Sequence, residues 1–369
     1  MMKLPAKLEV PSPETHADMQ ATAEFLEREM ECEGGFRFAA GCPKTLLATC
    51  FGVISHEMLG TLPELQAARR EQLVDVIASC QQADGTFRDP LHPDKLIHTL
   101  RKFTPTYLSW QETYFASHAL DALGVAPAKP LRFIEPFRFE PTLMPWLGTL
   151  GFEDFWFVSN YLMFLLHFLV EVEGKESPAA HRVLDWLDTR QDPKTGFWGT
   201  QQGASLFNGL AGAFHLYGFY QYLGREIHYV DRAIESTLSV QQKSGLWSEP
   251  GGGPCEDLDA VDVLLKLVPS NADLDERVKA ALRRALAALR AARLPSGGYC
   301  WTSPQRRARP RNVVYSGLPT LKVKSNKEDL WSIWFRPLAI AMAELRLGGK
   351  PAWPVKFRGK PLLGWHPAL

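Results

Sequence analysis

Between residues 251 and 262 the chain reads Gly251-Gly252-Gly253-Pro254-Cys255-Glu256-Asp257-Leu258-Asp259-Ala260-Val261-Asp262. Glu256, Asp257, Asp259 and Asp262 place four carboxyl groups within seven residues. Acids this crowded cannot all ionise cheaply, so burial and mutual repulsion would hold one of them protonated. A protonated acid facing a dry pocket can protonate an alkene or an epoxide. The four open an apolar helical segment, and Glu256, Asp259 and Asp262 run along one side of it. A structural reading also fits: acids at a helix start cap free N–H groups and complement the macrodipole.

A second set of residues lies on apolar segments: Trp110, Glu112, Tyr114, Phe155, Trp156, Asn160, Asn208, His215, Tyr217, Trp331 and Trp334. Aromatic faces attract cations and could steady a carbocation; core packing uses the same residues. The run from Asn208 to His215 contains Gly209 and Gly212. Each glycine costs a helix about 1 kcal/mol against alanine, so a neighbouring helix or a ligand must come close there. His215 reads equally as a general base or as a hydrogen-bonded structural imidazole. A basic run, Arg306, Arg307, Arg309 and Arg311, is followed by Lys322, Lys324 and Lys327. It could hold a diphosphate or an acidic partner, touch anionic lipid in a peripheral membrane contact, or stand solvated.

Something must position these groups, and the sequence repeats. Gln82-Ala83-Asp84-Gly85-Thr86-Phe87 and Gln242-Lys243-Ser244-Gly245-Leu246-Trp247 share one spacing. Gln191 with Gly196-Phe197-Trp198 is a longer copy, and Gly34-Gly35-Phe36 and Gly297-Gly298-Tyr299 keep only glycine and aromatic. Centring a degenerate sixth copy on Trp146 gives a period of about fifty residues, the mark of stacked supersecondary units. The glutamine is expected to bond backbone at the start of the next inner helix. Segments 16–31, 63–81, 178–190, 226–241 and 273–293 are amphipathic and predict outer helices. Segments 45–59, 111–123, 152–172, 204–223, 256–267 and 327–346 are apolar almost all round and predict buried inner helices. The expected fold is therefore all-α, a single (α/α)6 toroid around a central cavity. Its repeats fall at about 16–59, 63–123, 125–172, 178–223, 226–267 and 273–346, with a tail over 347–369. Two insertions, Arg88–Ser109 and the basic run, are placed to reach over a mouth of the ring as lids.

Composition sets bounds. Hydrophobic residues make up 46% of the chain and the formal net charge is zero. A large core can form, and nothing draws the whole molecule to nucleic acid. Residues Met1 to Glu14 lack an apolar leader core, and Phe155–Val170 falls short of the ~20 residues of a membrane span. Cys32, Cys42, Cys50, Cys80, Cys255 and Cys300 form no CxxC pair, which fits free thiols in a reducing cytoplasm. Oligomeric state is not legible.

The glutamine, glycine and aromatic motifs resemble the repeats of squalene cyclases and protein prenyltransferase β-subunits, over roughly residues 30 to 346. The acid segment resembles the Asp-x-Asp-Asp motif of class II terpene cyclases, which protonate their substrates. The resemblance implies that Asp259 matches the proton-donating middle aspartate and Asp257 the first. The last aspartate is replaced by Ala260, and Asp262 comes two residues later. Protein prenyltransferases hold zinc with an aspartate and a cysteine two apart plus a distant histidine; here the order is reversed, Cys255 then Asp257. Zinc is not expected, and magnesium only with a diphosphate substrate. The resemblance implies an acid-initiated terpene cyclase acting on an isoprenoid or its diphosphate, a small apolar substrate, with no resident cofactor. The alternatives are a prenyltransferase-like or glycan-acting (α/α)6 enzyme, and a non-catalytic helical scaffold.

Overall fold

The structure is a computed structural model that describes residues 13–32, 34–92, 103–247, 253–302, 309–349 and 361–365. Six apolar helices form an inner ring: α2 (Leu46–Leu59), α4 (Pro105–Ala122), α6 (Phe155–Glu173), α8 (Leu206–Tyr222), α10 (Pro254–Lys266) and α12 (Leu330–Arg346). Six others lie outside: α1 (Pro13–Phe25), α3 (Ala67–Ala78), α5 (Glu140–Gly148), α7 (Pro178–Asp188), α9 (Val230–Ser239) and α11 (Ala272–Arg290). Each inner helix packs on the next, and α12 packs back on α2, so the ring closes. The all-α toroid is the architecture the repeats predict.

The two rings follow from residue patterning. Every residue of α12 is buried, as apolarity all round requires. In α11 only one stripe is buried, Leu274, Val278, Ala281, Leu282, Ala285 and Leu289, at helical spacing. Inner helices start at side-chain caps: Thr45, Thr104, Asp154, Ser205 and Asp329 each accept an N–H from three residues on. Helix α6 is the one described helix long and apolar enough to cross a membrane. It packs between α4 and α8 in the inner ring.

The motif works differently from the expectation. The tying glutamine is the first of each Gln-Gln pair, Gln81 and Gln241, together with Gln191. Each donates to the carbonyl of the motif glycine: Gln81 to Gly85 at 3.2 Å, Gln191 to Gly196 at 2.8 Å and Gln241 to Gly245 at 2.8 Å. Each also reaches the next outer element, at the carbonyls of Lys129, His228 and Ala281, rather than the next inner helix. The side chains of Gln82 and Gln242 donate to the carbonyls of Cys80 and Val240, two residues back. The last motif has no glutamine; Thr22 of α1 donates to Gly297 instead, at 2.9 Å. Gly85 and Gly297 have φ of +91° and +97° and lie against the backbone of Pro130 and Ala21, so a side chain fails there on both counts. The contact at Ala21 joins the last repeat to the first outer helix. Gln241→Ala is therefore expected to cost about 1–3 kcal/mol in urea unfolding, whereas Gln242→Ala should stay within about 0.5 kcal/mol.

Other differences are local. Trp146 is not a motif aromatic: it lies in α5, half-buried against Trp110 and Phe137. The buried aromatic between α5 and α6 is Phe152, which packs on Trp186 and Phe155. The third repeat opens with a 3-10 turn over Arg132–Arg138 before α5. Two small antiparallel hairpins, β1 (Glu31–Cys32) with β2 (Gly35–Phe36) and β3 (Asn312–Val314) with β4 (Lys322–Lys324), add to the helices. The tail is part of the core where it is described: Leu362, Leu363 and Trp365 are buried, and Trp365 meets Tyr222 edge-on.

Candidate active site

Helix α10 carries the acid segment, and its carboxyl groups have different surroundings. Glu256 caps the helix, accepting the Gly253 N–H at 2.6 Å, and accepts a hydrogen bond from the Cys255 thiol at 3.2 Å. Asp257 is buried, with Oδ1 accepting the Trp247 N–H at 2.9 Å and Oδ2 paired with Arg336 at 2.6 Å. Arg336 also donates to the Trp301 carbonyl at 2.8 Å. Asp262 forms a buried ion pair with Lys266 at 2.5 Å; burial pulls both groups towards neutrality and their attraction opposes it. Gly251 and Gly252 lie outside the described residues.

Asp259 differs from all three. It is 1% exposed, and neither carboxyl oxygen has a hydrogen-bond partner. Burial pushes its pKa well above the usual carboxyl range, reinforced by Glu256, Asp262 and Asp257 and opposed by Lys266. The group is therefore held as the neutral acid. It lines a central cavity of about 230 Å³, far more than the roughly 10–15 Å³ that one water needs. The walls are mainly aromatic: Tyr107, Phe115, Trp156, Phe157, Phe164, Phe214, Trp301, Tyr315, Trp331 and Phe335. Gln111, Asn160, Ser316, Cys255 and His215 supply the polar atoms, and no Arg or Lys lines the cavity among the described residues. Trp331 and Phe335 stack with centroids 4.1 Å apart.

The cavity has a lid and a floor. The segment joining β3 to β4 crosses its edge, held to α4 by Gln111, which donates to the Tyr315 hydroxyl at 3.3 Å and accepts from Ser316 at 2.9 Å. His92, in the other insertion, bonds Thr320 at 2.8 Å, so the described parts of the two insertions meet. Below, Leu363 lines the same cavity, and Pro361 and Leu362 border a second small void beside Lys266 and Phe219.

Of the residues singled out in the sequence, Asp259, His215, Trp156, Asn160 and Trp331 face this cavity together. Others do not. Trp110 packs outward on Phe133, Phe137 and Trp146. Phe155 stacks on Trp198 and fills the space that Gly212 leaves, while Phe197 and Trp198 lie over Gly209; neighbouring packing thus accounts for the two glycines. Tyr217 donates to Gly196. Asn208 accepts the Trp156 N–H and donates to Asp154, tying α8 to α6. Arg309 and Arg311 are exposed, and Arg306 and Arg307 lie outside the described residues. Lys322, Lys324 and Lys327 line a separate outer cleft with Phe25 and Met30. Tyr107, Phe115, Phe214 and Phe335 escaped the sequence reading because nothing in an all-apolar helix marks which side faces the cavity.

Glu112 belongs to a buried group with Asp89 and His92, the one described set close enough for metal ligation. Glu112 accepts from His92 at 2.7 Å and from the Asp89 N–H at 3.2 Å. Asp89 in turn accepts the N–H groups of Leu46 and Leu91. With His92 also on Thr320, these donors already serve a hydrogen-bonded cross-link and do not fit an ion. Nor does the Cys255 and Asp257 pair, since both Asp257 oxygens are taken by Trp247 and Arg336.

Residues 6–101 match the sequence profile of the prenyltransferase alpha-alpha toroid domain. No curated protein matches the sequence. Among solved structures, the type II terpene cyclase MstE from Scytonema superposes with a TM-score of 0.50 at 14% identity, over 90% of this chain and 97% of that one. The ent-copalyl diphosphate synthase from Streptomyces platensis gives 0.43 at 16% identity over 82% of this chain; the chain spans 50% of that protein's length. The GH76A α-1,6-mannanase from Salegentibacter sp. HEL1_6 gives 0.47 at 13% identity, over 89% and 100%. Likeness at these identities is likeness of fold.

Proposed function

We propose that this α/α toroid belongs to the squalene cyclase and protein prenyltransferase repeat superfamily and is an acid-initiated terpene cyclase acting on an isoprenoid chain. One observation carries this reading: Asp259 is an unpartnered neutral acid in an aromatic cavity. Its raised pKa favours the protonated form. The driving force for transfer has to come from elsewhere. Aromatic faces stabilise the carbocation as it forms, and the charge of Lys266 favours the carboxylate left on Asp259. Asp257 does not reach the reacting atoms; paired with Arg336, it fixes the start of α10 and so positions Asp259. A glycan hydrolase needs two carboxyl groups about 5–9.5 Å apart across one bond, and the described cavity wall offers one.

The test is incubation of the full chain in deuterium oxide with geranylgeraniol, geranylgeranyl diphosphate and geranylgeranyl dihydroxybenzoate. A cyclised product with one deuterium on the ring methylene beside the gem-dimethyl carbon is the expected result. Cleavage of α-1,6-mannan or unsaturated uronides, with no isoprenoid consumed, would overturn the reading.

A further inference from the structure

His215 stands on α8, which packs directly against α10, and its ring lines the same cavity as Asp259. Its Nδ1 lies 2.7 Å from the Ser159 hydroxyl on α6. That hydroxyl has one proton, and it donates to the Trp156 carbonyl one turn back, at 2.8 Å. Ser159 must then accept from His215, which puts the ring proton on Nδ1. Nε2 has no partner among the described side chains and carbonyls, and it is not one of the atoms shut away from the cavity. Nε2 is therefore a bare lone pair facing the space where a carbocation would form. The ring is 8% exposed, and burial lowers its pKa to about 3, so it stays neutral.

We infer that His215 is the base that ends the reaction, with Ser159 as the residue that positions it. This rests on the cyclase reading above. The step is a proton transfer. A C–H bond beside the final carbocation breaks, its electron pair becomes the new C=C bond, and the proton forms an N–H bond on Nε2. Asp259 gave up one proton at the start; the imidazolium releases its proton to solvent, and Asp259 takes one back from solvent. Both groups are reset, and the substrate has been isomerised without gain or loss of atoms. The wall thus presents an acid on one helix and a base on the next, each without a competing partner.

Two measurements test this. The first needs no substrate. In protein labelled with nitrogen-15 histidine, with His215→Gln to assign the signal, His215 should remain the neutral Nδ1–H tautomer from pH 8 down to about 5. Ser159→Ala should release that tautomer. An Nε2–H tautomer, or an imidazolium at neutral pH, overturns the inference even if the cyclase reading stands. The second compares products in deuterium oxide. His215→Phe and His215→Gln should still take up deuterium at the ring methylene beside the gem-dimethyl carbon, because Asp259 is intact. Their alkene product should fall by about tenfold or more relative to a water-quenched alcohol or a shifted double-bond isomer. Deuterium uptake with an unchanged alkene pattern places the base elsewhere. Loss of uptake in the unaltered protein would sink the cyclase reading itself, and the tautomer measurement would still decide whether His215 is a poised base.

Discussion

Asp259→Asn is expected to lower isoprenoid turnover by roughly a thousandfold or more, within the usual range for loss of a general acid. The amide has the shape of the neutral acid and no proton to give. Stability should move the other way. Burial raises the folded-state pKa of Asp259 above its ordinary value of 3.8, so the fold favours the protonated form. That contribution is fully present below the unfolded value and is lost as pH rises through the folded one. Asparagine does not titrate. The variant should therefore melt higher than the unaltered protein at pH 8, with the gap narrowing steadily towards pH 4. Unchanged turnover would remove Asp259 from the chemistry. A melting difference that does not vary with pH would mean that the side chain is not held as an acid.

The second large effect is on the fold. Arg336→Leu should destabilise the protein by about 3–5 kcal/mol, because the buried Asp257 loses its counter-charge. Asp257 has no exposed surface and Arg336 is 1% exposed, so water cannot take the place of the guanidinium. Asp257→Asn combined with Arg336→Leu should recover a good part of that loss, since removing both charges is far milder than stranding one. Urea unfolding of both variants measures the difference. A cost for Arg336→Leu below about 1 kcal/mol would mean that solvent reaches the pair. Activity should fall as well, because Asp259 follows Asp257 by two residues on the same turn of α10.

The architecture was legible because its signals are redundant. Glycines, aromatics and helix caps recur once per repeat, so missing one copy does little harm. Where the signal is thin, structure and sequence part. Adjacent glutamines look alike in sequence, and only the turn geometry tells Gln81 and Gln241 from Gln82 and Gln242. Spacing alone points to Trp146 rather than Phe152. For the site, the acid cluster was legible as a cluster, but not the division of labour within it. Asp257 and Asp259 differ by which side of α10 faces Arg336 and which faces the cavity. That follows from the partner helix α12, some eighty residues later in the chain. His215 was noticed, yet its role depends on Ser159 and Trp156 of α6, which spacing along α8 could not reveal.

The floor beneath the cavity comes from Pro361–Leu363, a stretch that is no part of the ring of hairpins. Depth and reactivity are consequently governed by separate parts of the polypeptide. Exchanging Leu363 for a smaller or bulkier residue should lengthen or shorten the chain that fits while leaving the acid and the aromatic wall unaltered. Such a toroid can be retuned from one substrate length to another by editing a short plug, without rebuilding any of its repeats.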